Sequence, residues 1–290
     1  MNKWIIGAVC AFTSWYAQAV QPYIASDTKV AGGDLKVAIG AVEQKLTAGG
    51  FVVIGRHTPK GLPGHGSIVV TDAGLTEAIK AVGGSAVVAT PIRVGVAADG
   101  AVSYVNPEYW GRGYARKDYP KIENAAKAAK AKLEAALGAG KPFGGDVKAE
   151  DLPKYHYMFG MEYFDERSEL KEYGSFDEAL KAVRENLAKG VAQTSKVYEI
   201  AMPDKKLAVF GVATNDPNYG ESWWVAKIGP DHIAALPWEI FIVNNKVMAL
   251  YGRFRTALAW PELGMGQFMG ISNHPDTTLK MMQAVAGVAE

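Results

Sequence analysis

One hairpin-forming segment occurs twice in this chain, and this repetition constrains the fold more than any other feature. The copies are residues 91–104 and 237–251, and each begins with a proline. In the first copy Asp99-Gly100 separates two runs of apolar residues, and in the second Asn244-Asn245 takes that place. Both dipeptides tolerate the positive φ that a tight hairpin turn requires. The sequence therefore predicts two copies of one β-hairpin.

The flanks of the hairpins repeat as well. Upstream, residues 33–50 match residues 174–191 without a gap, and both stretches predict an amphipathic helix with an N-cap and a glycine stop. Downstream, each hairpin is followed by an aromatic, arginine-bearing segment and then by a helix with proline in its first turn. We therefore predict two tandem repeats, 20–137 and 154–290, joined by a linker at 138–153.

The order of elements within each repeat predicts the fold class. In the first repeat the pattern indicates helices and strands at 23–30, 34–48, 51–54, 67–70, 75–82 and 120–137, with the hairpin before the last helix. In the second, it indicates an aromatic strand at 155–163, a helix at 175–189 and strands at 197–201 and 207–212; apolar stretches at 223–225 and 233–236 then lead to the hairpin, and a closing helix follows. This is an α+β pattern, with an antiparallel sheet and two main helices in each repeat.

Residues 1–19 are typical of a secretory signal peptide. Lys3 precedes a short apolar run, and Ala17-Gln18-Ala19 forms a small-x-small cleavage site. The run is too short to span a bilayer, and no later segment approaches that length. We therefore predict export to a bacterial periplasm, with no membrane span after cleavage.

Composition excludes two classes of function for the predicted mature chain. Lysine and arginine number 31 against 30 acidic residues, so no basic field attracts nucleic acid. The only cysteine, Cys10, lies in the predicted signal peptide, so disulfide and thiol chemistry are excluded after cleavage.

Two pairs of segments resemble the domain of unknown function 302 family. They are GGFVVIGRH at 49–57 with residues 89–109, and VFGVATNDP at 209–217 with residues 235–251. The resemblance implies a TATA-binding-protein-like α+β fold, but it brings no reaction with it. Many members have Cys-Asn-Pro and Leu-Pro-Cys where this chain has Thr214-Asn215-Asp216 and Leu236-Pro237-Trp238. Any thiol-dependent role of the family is therefore not carried over.

Aromatic and arginine residues concentrate in the second repeat, which holds four of the five tryptophans that follow the signal peptide. An aromatic cleft with arginine at its mouth suits a planar or anionic ligand. The predicted ligand-binding residues are Trp223, Trp224, His232, Trp238, Tyr251, Arg253 and Arg255. The alternative is a large aromatic core with surface arginines, and the groove between the repeats is a second place for a ligand.

A methionine and histidine cluster gives a candidate metal site. Met265, Met269 and His274 combine thioethers with imidazole, the ligands that suit Cu(I). The alternative is that methionine at helical spacing fills a core. His57 and His65 share a Gly/Pro-rich loop and form a weaker candidate. No histidine belongs to a compact zinc or metalloprotease motif, and no catalytic constellation is recognisable.

Three functions stay open at this point. The first is a periplasmic, non-catalytic binding or accessory protein for a small molecule or a protein partner. The second is a redox accessory or enzyme that depends on a metal or cofactor, with copper as the candidate metal. The third is a structural module that forms a homo-oligomer through exposed sheet edges.

Overall fold

The computed structural model describes residues 19–155, 163 and 168–288. Most of the predicted signal peptide and most of the predicted aromatic strand at 155–163 lie outside the described residues. In the first half of the chain the elements are β1 (Ala19–Val20), β2 (Tyr23–Ala25), α1 (Leu35–Ala48), β3 (Val52–His57), β4 (His65–Thr71), α2 (Ala73–Val82), β5 (Ile92–Ala97), β6 (Val102–Val105), α3 (Pro107–Ala115), α4 (Tyr119–Leu137), β7 (Lys141–Phe143) and β8 (Val147–Lys148).

The second half of the chain repeats this order with small changes. Its elements are β9 (Ser168–Glu172), α5 (Phe176–Lys189), β10 (Thr194–Met202), β11 (Leu207–Thr214), α6 (Glu221–Ile228), β12 (Trp238–Val243), β13 (Lys246–Ala249), α7 (Gly252–Ala259), α8 (Met265–Gly270) and α9 (His274–Val285). Two longer 3-10 segments, Gly84–Ala89 and Pro230–Ala235, precede β5 and β12 respectively. No described helix combines the length and the apolar character needed to cross a membrane.

Two antiparallel sheets carry the fold, which confirms the predicted α+β class. The strand order is β3-β4-β5-β6-β2-β7 in the first sheet and β10-β11-β12-β13-β9 in the second, and β1 pairs with β8 in a separate two-stranded sheet. Apart from β7, the two main sheets have the same order of corresponding strands. The strand β7 lies within the segment predicted as the linker and extends the first sheet by pairing with β2.

Corresponding helices begin with the same local chemistry. The Asp34 side chain accepts hydrogen bonds from the backbone N–H groups of Lys36 and Val37 at the start of α1. The Ser175 side chain accepts one from the N–H group of Glu178 at the start of α5. Each helix buries apolar side chains three or four positions apart, so one face packs on its own sheet.

The apolar stretches at 223–225 and 233–236, for which the sequence predicted no particular element, are largely helical. The first lies in helix α6, and most of the second lies in the Pro230–Ala235 segment. The apolar character of these short stretches reflects burial, since the structure buries Trp224, Val225 and Ile233. Periodicity cannot distinguish a buried strand from a buried helical turn over so few residues.

The two halves interlock through the 3-10 segments. Gly84–Ala89 of the first half packs on β11 and β12, and Pro230–Ala235 of the second half packs on β4, β5 and β6. The strands β3 and β10 also approach each other. Each half therefore contributes one segment to the face of the other half's sheet.

Candidate ligand-binding cleft

A cleft of about 340 Å³ lies where the Pro230–Ala235 segment crosses the first sheet. Its floor consists of small residues of neighbouring strands: Ala25, Gly95, Ala97, Ala101 and Ser103. In the pairing of these strands Ser103 lies opposite both Gly95 and Ala25, so the three residues share one face of the sheet. The cleft is therefore a hollow above a patch of the sheet that has almost no side chains.

Both halves of the chain supply the walls of this cleft. Pro230, Asp231 and Ile233 come from the second half, whereas His65 and Phe143 come from β4 and β7 of the first sheet. A ligand held here would touch both halves. The groove between the repeats, one of the two places predicted from the sequence, thus coincides with a cavity.

The second sheet is filled where the first is hollow. Gly95 and Ser103 lie opposite each other on β5 and β6, and Phe241 and Met248 lie opposite each other at the corresponding positions of β12 and β13. Phe241 is 0% and Met248 is 2% exposed. The same backbone thus carries two large buried side chains in one half and an open space in the other.

Glycine at position 95 allows the wall to approach the floor closely. A Cβ atom added there would lie 2.6 Å from Cγ2 of Ile233 and 3.0 Å from the backbone nitrogen of Ala234. Both distances are shorter than ordinary van der Waals contact. Gly95 therefore fixes the height of the Pro230–Ala235 segment above the sheet.

Buried charges hold this segment in place. Arg93 on β5 donates from Nε to the carbonyl oxygen of Ala234 at 3.1 Å, and Arg255 on α7 donates from Nη2 to that of Ala235 at 2.6 Å. Both arginines also pair with Glu239 on β12, and the distance from Arg255 Nε to Glu239 Oε2 is 2.8 Å. A wall with its carbonyl groups bound in this way is preorganised before any ligand arrives.

The predicted aromatic and arginine residues lie mostly inside the interface between the halves. Arg255 is 0% exposed, and its guanidinium carbon lies 4.9 Å from the ring centre of Trp110 and 4.8 Å from that of Trp238. Trp224 packs against Trp238 with ring centres 6.0 Å apart. The structure brings Trp224, Trp238 and Arg255 together as interior packing; unlike the alternative of an aromatic core with surface arginines, this core also buries Arg255.

The other predicted ligand-binding residues lie apart from this interior group. Trp223 and Tyr251 are half-buried, and Arg253 is exposed. The Lys227 amino group lies 4.1 Å from the ring centre of Trp223. None of these three predicted residues lines the cleft.

His232 lies behind the cleft wall. Its ring packs against Tyr23, Phe143 and Trp260, and its Nε2 atom lies 3.0 Å from Oε1 of Glu262. Burial lowers the pKa of His232, and Glu262 opposes that shift. A neutral ring at pH 7 follows, and it supports Phe143 from behind instead of lining the cleft.

The structure separates the three predicted copper ligands by burial. Met265 and Met269 on α8 are 52% and 62% exposed, whereas His274 is fully buried. The His274 ring stacks on Trp224 with centres 4.2 Å apart, and its Nδ1 atom lies 3.0 Å from Oγ1 of Thr278. Burial, assisted by the charge of Arg255, lowers the pKa of His274 to about 3.

Within the described part of the chain, no group of three or more His, Cys, Asp or Glu residues is arranged to hold a metal ion. His57 and His65, the weaker metal candidate, have different surroundings. His57 is buried, with Nε2 2.6 Å from Oε1 of Glu221 in the other half, whereas His65 lines the cleft.

The cleft residues were missed as a site because no single one of them is distinctive. Glycine, alanine and serine in a strand carry no chemical signal of their own. The comparison of the two hairpins does contain a signal, because Gly95 and Ser103 occupy the positions that correspond to Phe241 and Met248.

Comparison with protein-family models, with curated proteins and with solved structures finds no match to this chain. The resemblance to the domain of unknown function 302 family therefore stays a prediction.

Proposed function

We propose that this chain is a non-catalytic binding protein that holds one small ligand in the cleft between its halves. The hollow above Gly95 and Ser103 carries the proposal, because the second sheet fills the corresponding space with Phe241 and Met248. A volume of about 340 Å³ is within the range of small-molecule sites. In line with the predicted export, the proposed location of this activity is the periplasm.

The polar groups of the cleft favour binding over catalysis. His65, Ser103 and Asp231 all line it, which is a set of residue types known from hydrolases. However, Nδ1 of His65 lies 3.3 Å from the carbonyl oxygen of Pro63. A hydrolase of that kind needs a carboxylate at this nitrogen to orient the base. The fixed position of the Pro230–Ala235 segment likewise favours a protein that binds a ligand over one that catalyses a reaction.

Filling the hollow tests the proposal. Ser103→Met copies Met248 of the second half, and Ala135→Met places the same side chain on the exposed face of α4 as a control. We expect native mass spectrometry of protein purified from its own periplasm to show a bound small molecule in the wild type and in Ala135→Met. In Ser103→Met the bound fraction should fall at least about tenfold, because the methionine occupies the ligand's volume.

Equal occupancy in Ser103→Met and the wild type would contradict the proposal. An adduct-free mass for all three proteins would also count against it. Circular dichroism of Ser103→Met, compared with the wild type, shows whether the variant keeps its fold.

A further inference from the structure

The charges around the cleft point to the class of ligand, an inference that rests on the proposed function. Among the described residues that line the cleft, Asp231 is the one acid, and none is lysine or arginine. Glu262 adds a second carboxylate behind the wall, where its Oε1 atom lies 3.0 Å from Nε2 of His232. From this we infer that the cleft binds a small organic cation: an ammonium group attached to a flat apolar body.

The remaining polar groups also accept hydrogen bonds. A carbonyl oxygen can only accept, so the contact between His65 and Pro63 requires the proton on Nδ1 of His65. In the neutral form of that ring the Nε2 atom is then an acceptor, and the Ser103 hydroxyl can also accept. Carboxylate, imidazole nitrogen and hydroxyl together suit a ligand that donates several hydrogen bonds, as an ammonium group does.

The apolar surface of the cleft suits a flat hydrocarbon. The floor of Gly95, Ala97 and Ala101 exposes backbone and methyl groups, and the Phe143 ring forms one side. An aromatic ring also attracts a cation placed over its face. The body of the ligand therefore lies on the floor while its charge lies near Asp231.

The two arginines nearest the cleft are bound elsewhere, and Lys141, opposite Ala25 on β7, is exposed beyond the residues that line the cleft. Arg93 and Arg255 are buried and bind Glu239 and the backbone of the wall. Lys29 pairs with Asp99 at 2.5 Å on the hairpin turn. The sequence suggested an anionic ligand held by arginine at the mouth of an aromatic cleft. No arginine is among the described residues that line this cleft.

Three probes that share one ring test the inference. Benzylamine, benzyl alcohol and benzoate are cationic, neutral and anionic at pH 7, and chemical-shift titration of the whole protein measures their binding. We expect benzylamine to bind about three- to fivefold more tightly than the alcohol, the worth of one partly exposed ion pair, and benzoate to bind most weakly. The preference should shrink as salt rises.

Two charge variants and the filled cleft separate the outcomes. Asp231→Asn should reduce benzylamine binding to that of the alcohol, whereas Glu185→Gln, which removes an exposed charge on α5, should leave it unchanged. One combination of results would overturn the ligand class but leave the cleft as the binding site. In that case the alcohol binds, Ser103→Met abolishes its binding, and benzoate binds at least as tightly as benzylamine. If no probe binds, or if Ser103→Met leaves all titrations unchanged, both the ligand class and the proposed function are contradicted.

Discussion

Glu239 shows how this chain stabilises polar groups that it buries. Its carboxylate is almost fully enclosed and is shared by Arg93 and Arg255, which also bind carbonyl oxygens of Ala234 and Ala235. An unpaired buried charge would cost several kcal/mol, so these contacts leave little freedom in side-chain position. These three charged residues therefore fix the position of the cleft wall.

His274 should make the protein less stable in acid. Burial lowers its pKa to about 3 in the folded chain, from the ordinary histidine value of 6.5. Between these two pH values the unfolded chain binds a proton that the folded chain excludes. The free energy of unfolding should therefore fall as pH decreases from 6.5 towards 3, with this residue contributing about 1.4 kcal/mol per pH unit. Above pH 6.5 its contribution is constant.

Urea unfolding of His274→Gln and the wild type across this pH range measures the effect. The variant should lose a large part of the slope, even if it is less stable at pH 7. His232→Gln is the matched comparison, since burial lowers the pKa of His232 as well but Glu262 opposes the shift. It should remove a smaller part of the slope. Parallel curves for His274→Gln and the wild type would refute this account.

The position of the Pro230–Ala235 segment depends on the strand beneath it. Gly95→Ala adds a methyl group 2.6 Å from Ile233, and we expect the free energy of unfolding to fall by about 1–3 kcal/mol. In an Ile233→Ala background the added cost should be smaller, because the closest clashing atom is gone. Chemical denaturation of the single and double variants gives the coupling energy.

Gly40→Ala is the control for this substitution. Gly40 lies within α1, and nothing lies within 4 Å of an added Cβ atom there. Alanine favours a helix over glycine, so this variant should gain up to about 1 kcal/mol. A Gly95→Ala variant as stable as the wild type would show that the segment can move away from the sheet.

The sequence predicted the strands and helices unevenly. The hairpin of β5 and β6 and the helices α1 and α5 follow from turn residues, caps and periodicity, which act within a few residues. The helix α6 did not follow, because two tryptophans and a valine favour a strand by local preference. There, burial of Trp224 against Trp238 and His274 decides the conformation.

The interlocked halves should unfold as one unit. Each half covers part of the other's sheet, and Glu239 joins an arginine of the first half to one of the second. Glu239→Gln removes the shared charge and should lower the free energy of unfolding by about 3–5 kcal/mol. Calorimetry should show one transition at a lower temperature, with matching calorimetric and van't Hoff enthalpies.

Glu185→Gln provides the reference for this experiment, because Glu185 is exposed and its loss should change stability by less than about 0.5 kcal/mol. Two separate transitions in the wild type would contradict the prediction, since the halves would then unfold independently.

The repeated order of helices and strands was readable from the sequence, but the arrangement of the halves was not. Matching hairpins and helices at 33–50 and 174–191 depend on local patterns. The exchange of the Gly84–Ala89 and Pro230–Ala235 segments depends on contacts between residues far apart in the chain. The cleft is a product of that exchange: its floor is marked in the sequence by the contrast between the two hairpins, but its wall depends on contacts between distant residues.

The pairing of Arg93 with Glu239 has a consequence for symmetry. Both are the second residue of the corresponding strands β5 and β12. In a two-fold symmetric homodimer of a single repeat, corresponding positions carry the same residue, so an arginine there would face an arginine and a glutamate a glutamate. This ion pair therefore needs two copies that differ in sequence, and covalent linkage guarantees that two different copies always meet. A homodimer built from either half alone would place like charges against each other at its centre.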